Sequence, residues 1–177
     1  QEGLVSQLTH KLRALKQELK NIRTERKQLE EKLAGATKQF EGVKLKAKEI
    51  EVERKRLENE AQSKRDQIAK YQVQKFQTRK NEEFRALSNE IERFEGEVRQ
   101  IEDKELELME AAEQLKPQIE QADKDAQAAR EQVEKQVADL QAKQTALEVQ
   151  VKELEAARSG LTTDLDEDLL HIYNRMF

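Results

Sequence analysis

The sequence predicts an all-α fold, a long antiparallel two-helix coiled-coil hairpin with a short C-terminal helix. Three observations support this prediction: the composition, the spacing of the apolar residues and the opposite charges of the two halves. Of the 177 residues, 40% are charged and 4% are aromatic. Ala, Glu, Lys, Leu and Arg make up 100 of them, a bias typical of coiled coils. So few bulky apolar residues cannot fill one globular core, and we expect a narrow seam instead.

Apolar residues recur through the first half in alternating steps of four and three, the heptad pattern of a coiled coil. Sixteen of the nineteen positions are apolar, and the exceptions are Arg26, Arg54 and Lys64. A strand is excluded, because a period of two would place charges in the seam. The positions of this first seam are Leu8, Leu12, Leu15, Leu19, Ile22, Arg26, Leu29, Leu33, Ala36, Phe40, Val43, Ala47, Ile50, Arg54, Leu57, Ala61, Lys64, Ile68 and Tyr71.

A second seam of the same kind runs through the second half. Two consecutive steps of four, at Ala129, Val133 and Val137, mark a stutter that locally unwinds a supercoil. The positions of this second seam are Phe84, Leu87, Ile91, Phe94, Val98, Ile101, Glu105, Leu108, Ala112, Leu115, Ile119, Ala122, Ala126, Ala129, Val133, Val137, Leu140, Gln144, Leu147, Val151, Leu154, Arg158 and Leu161.

The two seams are out of phase, which predicts a turn between them. Continued from Tyr71, the first seam would reach residues 82 and 85, whereas the second begins at Phe84 and Leu87. We expect Asn81 to cap the second helix. The predicted bounds are about 4–78 for arm one, about 78–82 for the tip, about 82–159 for arm two, and 1–160 for the whole hairpin.

The charges of the two halves favour a chain that folds back on itself. Residues 1–80 hold 21 Lys/Arg and 12 Asp/Glu, whereas residues 81–177 hold 12 and 25. A basic arm attracts an acidic one but would repel its own copy in a parallel dimer. In the hairpin, residues whose numbers add up to about 160 should face each other, which places Phe76 opposite Phe84. The alternative is one continuous helix in a parallel dimer.

The second arm contains two further signals. Pro117 is expected to kink the helix near residues 113–117, because proline removes a hydrogen bond and clashes with the preceding turn. Ser159 and Gly160 resemble a helix C-terminus. We therefore expect residues 161–177 to form a separate short amphipathic helix that leads to an absent C-terminal domain.

Signals for chemistry are weak, so we expect no catalytic residue, no metal ligand and no cofactor in this chain. There is no cysteine, phosphate-binding loop or nucleophile–base spacing. His10 and His171 are interpreted as surface residues. No apolar run is long enough to cross a membrane, and we expect a cytoplasmic protein that binds neither membranes nor a small-molecule substrate.

Basic and aromatic residues alternate around the predicted tip. Such a surface binds nucleic acid or an acidic partner, although a solvated face with a small apolar plug would look the same. The candidate partner-binding residues are Lys70, Tyr71, Lys75, Phe76, Arg79, Lys80, Asn81 and Phe84.

Three segments carry a resemblance to a known family. They are residues 53–74, residues 79–115 with Asn81-Glu82-Glu83-Phe84 at the tip, and the Leu-Leu-x-x-Tyr-x-Arg pattern within 169–176. Together they resemble the bacterial zinc-ribbon family with an N-terminal coiled-coil hairpin. The resemblance implies four zinc-binding cysteines after residue 177, so zinc is expected in that missing ribbon and not in this chain.

The resemblance also implies a non-enzymatic adaptor between proteins. Flagellar and chlamydial members are linked to an alternative sigma factor and to a regulator of a flagellar or type III secretion ATPase, and one is linked to messenger RNA. Two alternatives remain open from the residues themselves. The first alternative to the adaptor is a nucleic-acid-binding protein that uses the basic arm and tip. The second is a purely structural coiled-coil segment.

Overall fold

Two long helices make up the fold. The computed structural model describes residues 2–176, and for residue 2 only the backbone. Helix α1 spans Glu2–Gln77 and helix α2 spans Asn81–Met176. Only residues 78–80 separate them, so the chain reverses direction within three residues. This confirms the all-α hairpin, and the turn lies within one or two residues of its predicted place.

Both seams become the packed faces of their helices. All nineteen positions of the first seam are buried or half-buried, and so is every position of the second seam except Phe84. The most completely buried residues include Leu12, Leu57 and Ala61, at 2%, 3% and 0% exposure. Because each methylene removed from water contributes roughly 0.8 kcal/mol, this row of side chains supplies the main stabilisation of the fold.

The chain divides into two compact units, and one consists of residues 37–125, including the turn. Two apolar clusters form its core: Leu57 and Ala61 pack with Ile101, and Ile68 packs with Ile91 and Val98. The register of the buried seam here is close to the predicted one, as the packing of Ile68 on Ile91 shows, while the exposed Arg65, which should face residue 95, reaches Glu102 at 2.8 Å. Residue 64 should face residue 96, and the ammonium of Lys64 contacts Glu97 at 2.7 Å.

The other unit contains the described residues of 1–36 and 126–177. Its register departs from the prediction. Lys32 should face residue 128 but contacts Gln132 at 3.0 Å, and Arg26 should face residue 134 but contacts Gln141 at 2.9 Å. The shift amounts to one turn and then two turns of α2. The stutter at Ala129, Val133 and Val137 lies where this departure is first seen, and the first seam has no counterpart to it.

The structure contradicts the predicted separate C-terminal helix. Helix α2 continues through Ser159 and Gly160 to Met176, and no described glycine has a positive φ. The hydroxyls of Thr162 and Thr163 donate to the carbonyls of Arg158 and Ser159, both at 2.9 Å. The helix continues because a glycine costs it only about 1 kcal/mol and the apolar seam carries on through Leu161.

Proline inside α2 does not end the helix either. The helical assignment is unbroken at Pro117, which is exposed. An exposed position leaves the carbonyl that loses its hydrogen bond accessible to water, and this lowers the cost of the proline. The kink at residues 113–117 stays a prediction.

Candidate interaction surface at the turn

The turn is held by hydrogen bonds that close both helices around it. The amide of Thr78 donates to the carbonyl of Gln74 at 3.0 Å, which completes the last turn of α1. The amide of Phe84 donates to the carbonyl of Lys80 at 3.0 Å, which begins α2. The residue whose carbonyl accepts the first helical bond occupies the cap position. Lys80 therefore holds the place that the sequence suggested for Asn81.

A threonine performs the capping chemistry. The hydroxyl of Thr78 donates to the carboxylate of Glu83 at 2.7 Å and accepts from the amide of Lys80 at 3.4 Å. The carboxylate also lies in the first turn of α2, where the helix dipole favours negative charge. The prediction that Asn81 caps α2 was wrong. The amide of Lys80 donates instead to the hydroxyl of Thr78, which precedes the helix.

Tyr71 and Lys75 belong to the supporting structure beneath the turn. The ring of Tyr71 is half-buried and lies 5.7 Å from that of Phe94, at an interplanar angle of 35°. Both rings pack on the cluster that contains Ile68. The ammonium of Lys75 lies 4.7 Å from the ring of Phe84. These side chains are engaged within the hairpin.

Phe76 lies apart from them, which corrects its predicted pairing with Phe84. Its side chain is 95% exposed. Phe84 has Lys75 over its ring instead and is 47% exposed. The reason is angular: the first seam continues from Tyr71 to residue 75, so residue 76 lies about 100° further around the helix and points to the side.

Three of the candidate cations form no ion pair with the described part of the hairpin. Lys70, Arg79 and Lys80 are exposed, and none forms an ion pair with another residue in the range 2–176. Asn81 is exposed as well, in the first turn of α2. The eight candidates thus separate into an outer group of Lys70, Phe76, Arg79, Lys80 and Asn81 and an inner group of Tyr71, Lys75 and Phe84.

Val73, which was not among the residues predicted from the sequence, is 58% exposed and lies three residues before Phe76. Ala69, one turn earlier, is exposed too. The available signal was a second set of steps of four and three beside the seam, from Ala69 to Val73 to Phe76. We call these three residues the lateral stripe.

A polar network fixes the register below the turn. Lys64 and Glu97 form an ion pair across the helices at 2.7 Å, with side chains 23% and 33% exposed. The ammonium of Lys64 lies 5.2 Å from the ring of Phe94, and the guanidinium of Arg93 lies 4.8 Å from it. The hydrogen bond from Lys64 lowers the pKa of the Glu97 carboxyl, and Arg93 lowers it further.

No ligand set for a metal is present in the part of the chain that the structure describes. Within residues 2–176, no group of three His, Cys, Asp or Glu side chains is arranged to hold an ion. Neither helix, over the same range, contains a stretch apolar enough to cross a bilayer.

Comparison with known families adds one finding. Residues 3–177 match the family described as the CT398-like coiled coil hairpin domain. The chain belongs to this family. No match was found among curated proteins or among solved structures. The family description agrees with the two-helix architecture, and a coiled-coil hairpin of this kind is compatible with a structural or interaction role.

Proposed function

We propose that this chain is a non-enzymatic adaptor that presents the outer surface of a helical hairpin to partner proteins. The observation that carries the proposal is the contrast between the seam and the turn. Seam residues other than Phe84 are buried or half-buried, whereas Phe76 and Val73 are 95% and 58% exposed. The nearby cations Lys70, Arg79 and Lys80 form no ion pair within residues 2–176. Val73 and Phe76 lie one turn apart on the same side of α1, and contiguous exposed apolar residues are typical of a binding surface.

The identity of the partner is a further part of the proposal. The resemblance seen in the sequence supports an alternative sigma factor or a component of a flagellar or type III secretion system, in the cytoplasm. It also supports a zinc ribbon that supplies additional contacts. The long helices suit such a role, because each turn of a helix places surface residues at a regular spacing of about 1.5 Å per residue.

Nucleic acid is the second candidate partner. Residues 67–80 contain four Lys/Arg and no Asp/Glu, and such a local excess of positive charge attracts phosphates. Binding of this kind falls steeply with rising salt, whereas binding through apolar contacts does not. A titration at about 50 and about 200 mM salt separates the two candidates, because several phosphate contacts would reduce the affinity by orders of magnitude over this range.

Site-specific photocrosslinking tests the adaptor function directly. A benzophenone amino acid is introduced at single exposed positions, and the protein is irradiated in the cells that produce it. Crosslinked proteins are identified by mass spectrometry, purified and rebound to the unmodified chain. The positions are Leu45, Val52, Val73, Phe76, Met109 and Val149, which are all exposed apolar residues.

The adaptor proposal predicts one protein that crosslinks at a contiguous subset of these positions and rebinds in purified form. Crosslinks to RNA alone would favour the nucleic-acid alternative. Crosslinks only between copies of the chain would favour a purely structural segment. Either of these two results would contradict the proposed function.

A further inference from the structure

The lateral stripe is an apolar surface without a partner in the hairpin. Ala69, Val73 and Phe76 follow steps of four and three, so their Cα atoms fall within about 60° of one another around α1. All three are exposed, and Phe76 is the most exposed large apolar residue described. The same spacing forms the seam, where it packs against another helix. A stripe with this spacing is the shape that a second helix recognises.

The segment that contains the lateral stripe, residues 67–80, has charged side chains of one sign only. Lys70, Arg79 and Lys80 are exposed beside it without ion pairs in residues 2–176, and no acidic residue occurs between Asp66 and Glu82. Elsewhere in this unit, cations such as Arg56 and Arg93 are paired with glutamates of their own helix. The complementary partner is therefore acidic.

We propose that the lateral stripe binds an acidic amphipathic helix of a partner protein, with Phe76 as the central apolar anchor. This inference rests on the proposed adaptor function and specifies the partner's chemistry. Apolar residues of the incoming helix cover Val73 and Phe76, and its flanking carboxylates pair with Lys70, Arg79 and Lys80. The incoming helix packs as a third helix beside α1, opposite in charge to the basic arm.

A protein helix fits this surface better than a nucleic acid strand does. Single strands bind by stacking successive bases on several aromatic rings along a basic groove. Here Lys75 contacts the ring of Phe84, both Lys64 and Arg93 contact the ring of Phe94, and Tyr71 packs against Phe94. Phe76 is 95% exposed with no ring or cation contact to another described residue, whereas Phe84, with Lys75 over its ring, is 47% exposed.

A synthetic peptide serves as the probe. It has 21 residues, with leucines in steps of four and three on one face, glutamates flanking them and a fluorescein label. A second peptide has the same composition with the leucines distributed around the helix. Binding to the 177-residue chain is measured by fluorescence anisotropy, together with a labelled 20-nucleotide single-stranded DNA.

Matched variants locate the binding. Phe76→Ala should weaken binding of the amphipathic peptide by about 10- to 100-fold, as expected for an aromatic anchor, and Val73→Ser should weaken it as well. Leu45→Ala removes a comparable exposed apolar side chain, 55% exposed, and should leave binding unchanged. Arg79→Gln with Lys80→Gln should weaken it about 3- to 10-fold at low salt, whereas Lys46→Gln with Lys48→Gln should have a smaller effect.

Circular dichroism melts establish that every variant folds as the parent does, which the exposure of these residues makes the expected result. The proposal is overturned if Phe76→Ala and Leu45→Ala bind the peptide equally, if both peptides bind alike, or if DNA binds more tightly than either peptide. Such results would contradict binding of an acidic helix at the lateral stripe. They would not contradict the adaptor function if photocrosslinking at other positions identifies a protein partner.

Discussion

Cations in an apolar seam show how single residues adapt to the fold. The sequence placed Arg26, Arg54 and Lys64 in the first seam, and all three are half-buried. Lys64 pairs across the helices with Glu97, Arg26 reaches Gln141, and Arg54 pairs with Glu51 of its own helix at 2.8 Å. Long aliphatic stems allow each to cover the seam while its charged group reaches the edge. Only Lys64 and Arg26 contact the opposite helix and so fix the register between the two helices.

Protonation of Glu97 should weaken the hairpin in acid. Its pKa is lowered from the ordinary value of 4.5, mainly by the hydrogen bond from Lys64. A depressed pKa stabilises the fold fully above the unfolded value, and this contribution is lost as the pH falls through the folded value. Glu97→Gln should therefore be less stable than the parent at pH 7, and the difference should shrink below about pH 4.5.

Thermal melts at several pH values between 3 and 7 measure this effect. Glu92→Gln is the matched control, because Glu92 is exposed and forms no ion pair with another described residue. Parallel curves for Glu97→Gln and the parent across the whole pH range would show that the Lys64 contact does not stabilise the fold.

At the scale of elements, the helices and their packed faces were predictable from sequence, because the four–three spacing extends over many heptads. Local signals were less reliable. Ser159–Gly160 looked like a helix end, yet the seam continues through Leu161 and outweighs it. Phe76 is adjacent in sequence to the seam position at Lys75, and its exposure depends on a 100° step around the helix. The register beyond the stutter also required three-dimensional packing.

Substitution of Gly160 distinguishes a continuous helix from a helix end. A left-handed glycine cap would make Gly160→Ala destabilising by about 1 kcal/mol, whereas in a helix interior the same change stabilises by about 0.5–1 kcal/mol. The structure predicts stabilisation, because no described glycine has a positive φ and a Cβ added at Gly160 meets nothing within 4 Å.

Hydrogen exchange of residues 161–166 provides the measurement, since added helix stability slows exchange locally. Gly42→Ala is a useful reference, because Gly42 lies well inside α1 and its added Cβ is equally free of contacts. Faster exchange of residues 161–166 after Gly160→Ala, together with slower exchange near residue 42 after Gly42→Ala, would contradict the continuous helix and support a separate C-terminal helix.

For the molecule as a whole, the seam takes the place of a globular core. Leu57→Ala should lower the free energy of unfolding by about 2–4 kcal/mol, because it leaves a cavity beside Ala61 and Ile101. Leu45→Ala should change it by less than about 0.5 kcal/mol, since that side chain is largely in water. Urea unfolding followed by circular dichroism measures both. Equal effects would mean that the seam is not the core.

The central claim is that the chain doubles back at residues 78–80. Double electron–electron resonance, which measures the distance between two spin labels, tests it most directly. The chain has no cysteine, so spin labels can be attached at Ser63→Cys and Gln100→Cys, both exposed, with unlabelled protein in excess. Packed helices lie about 8–10 Å apart, so the labels should be separated by less than about 30 Å. A single continuous helix would separate them by about 55 Å, and that distance would contradict the hairpin.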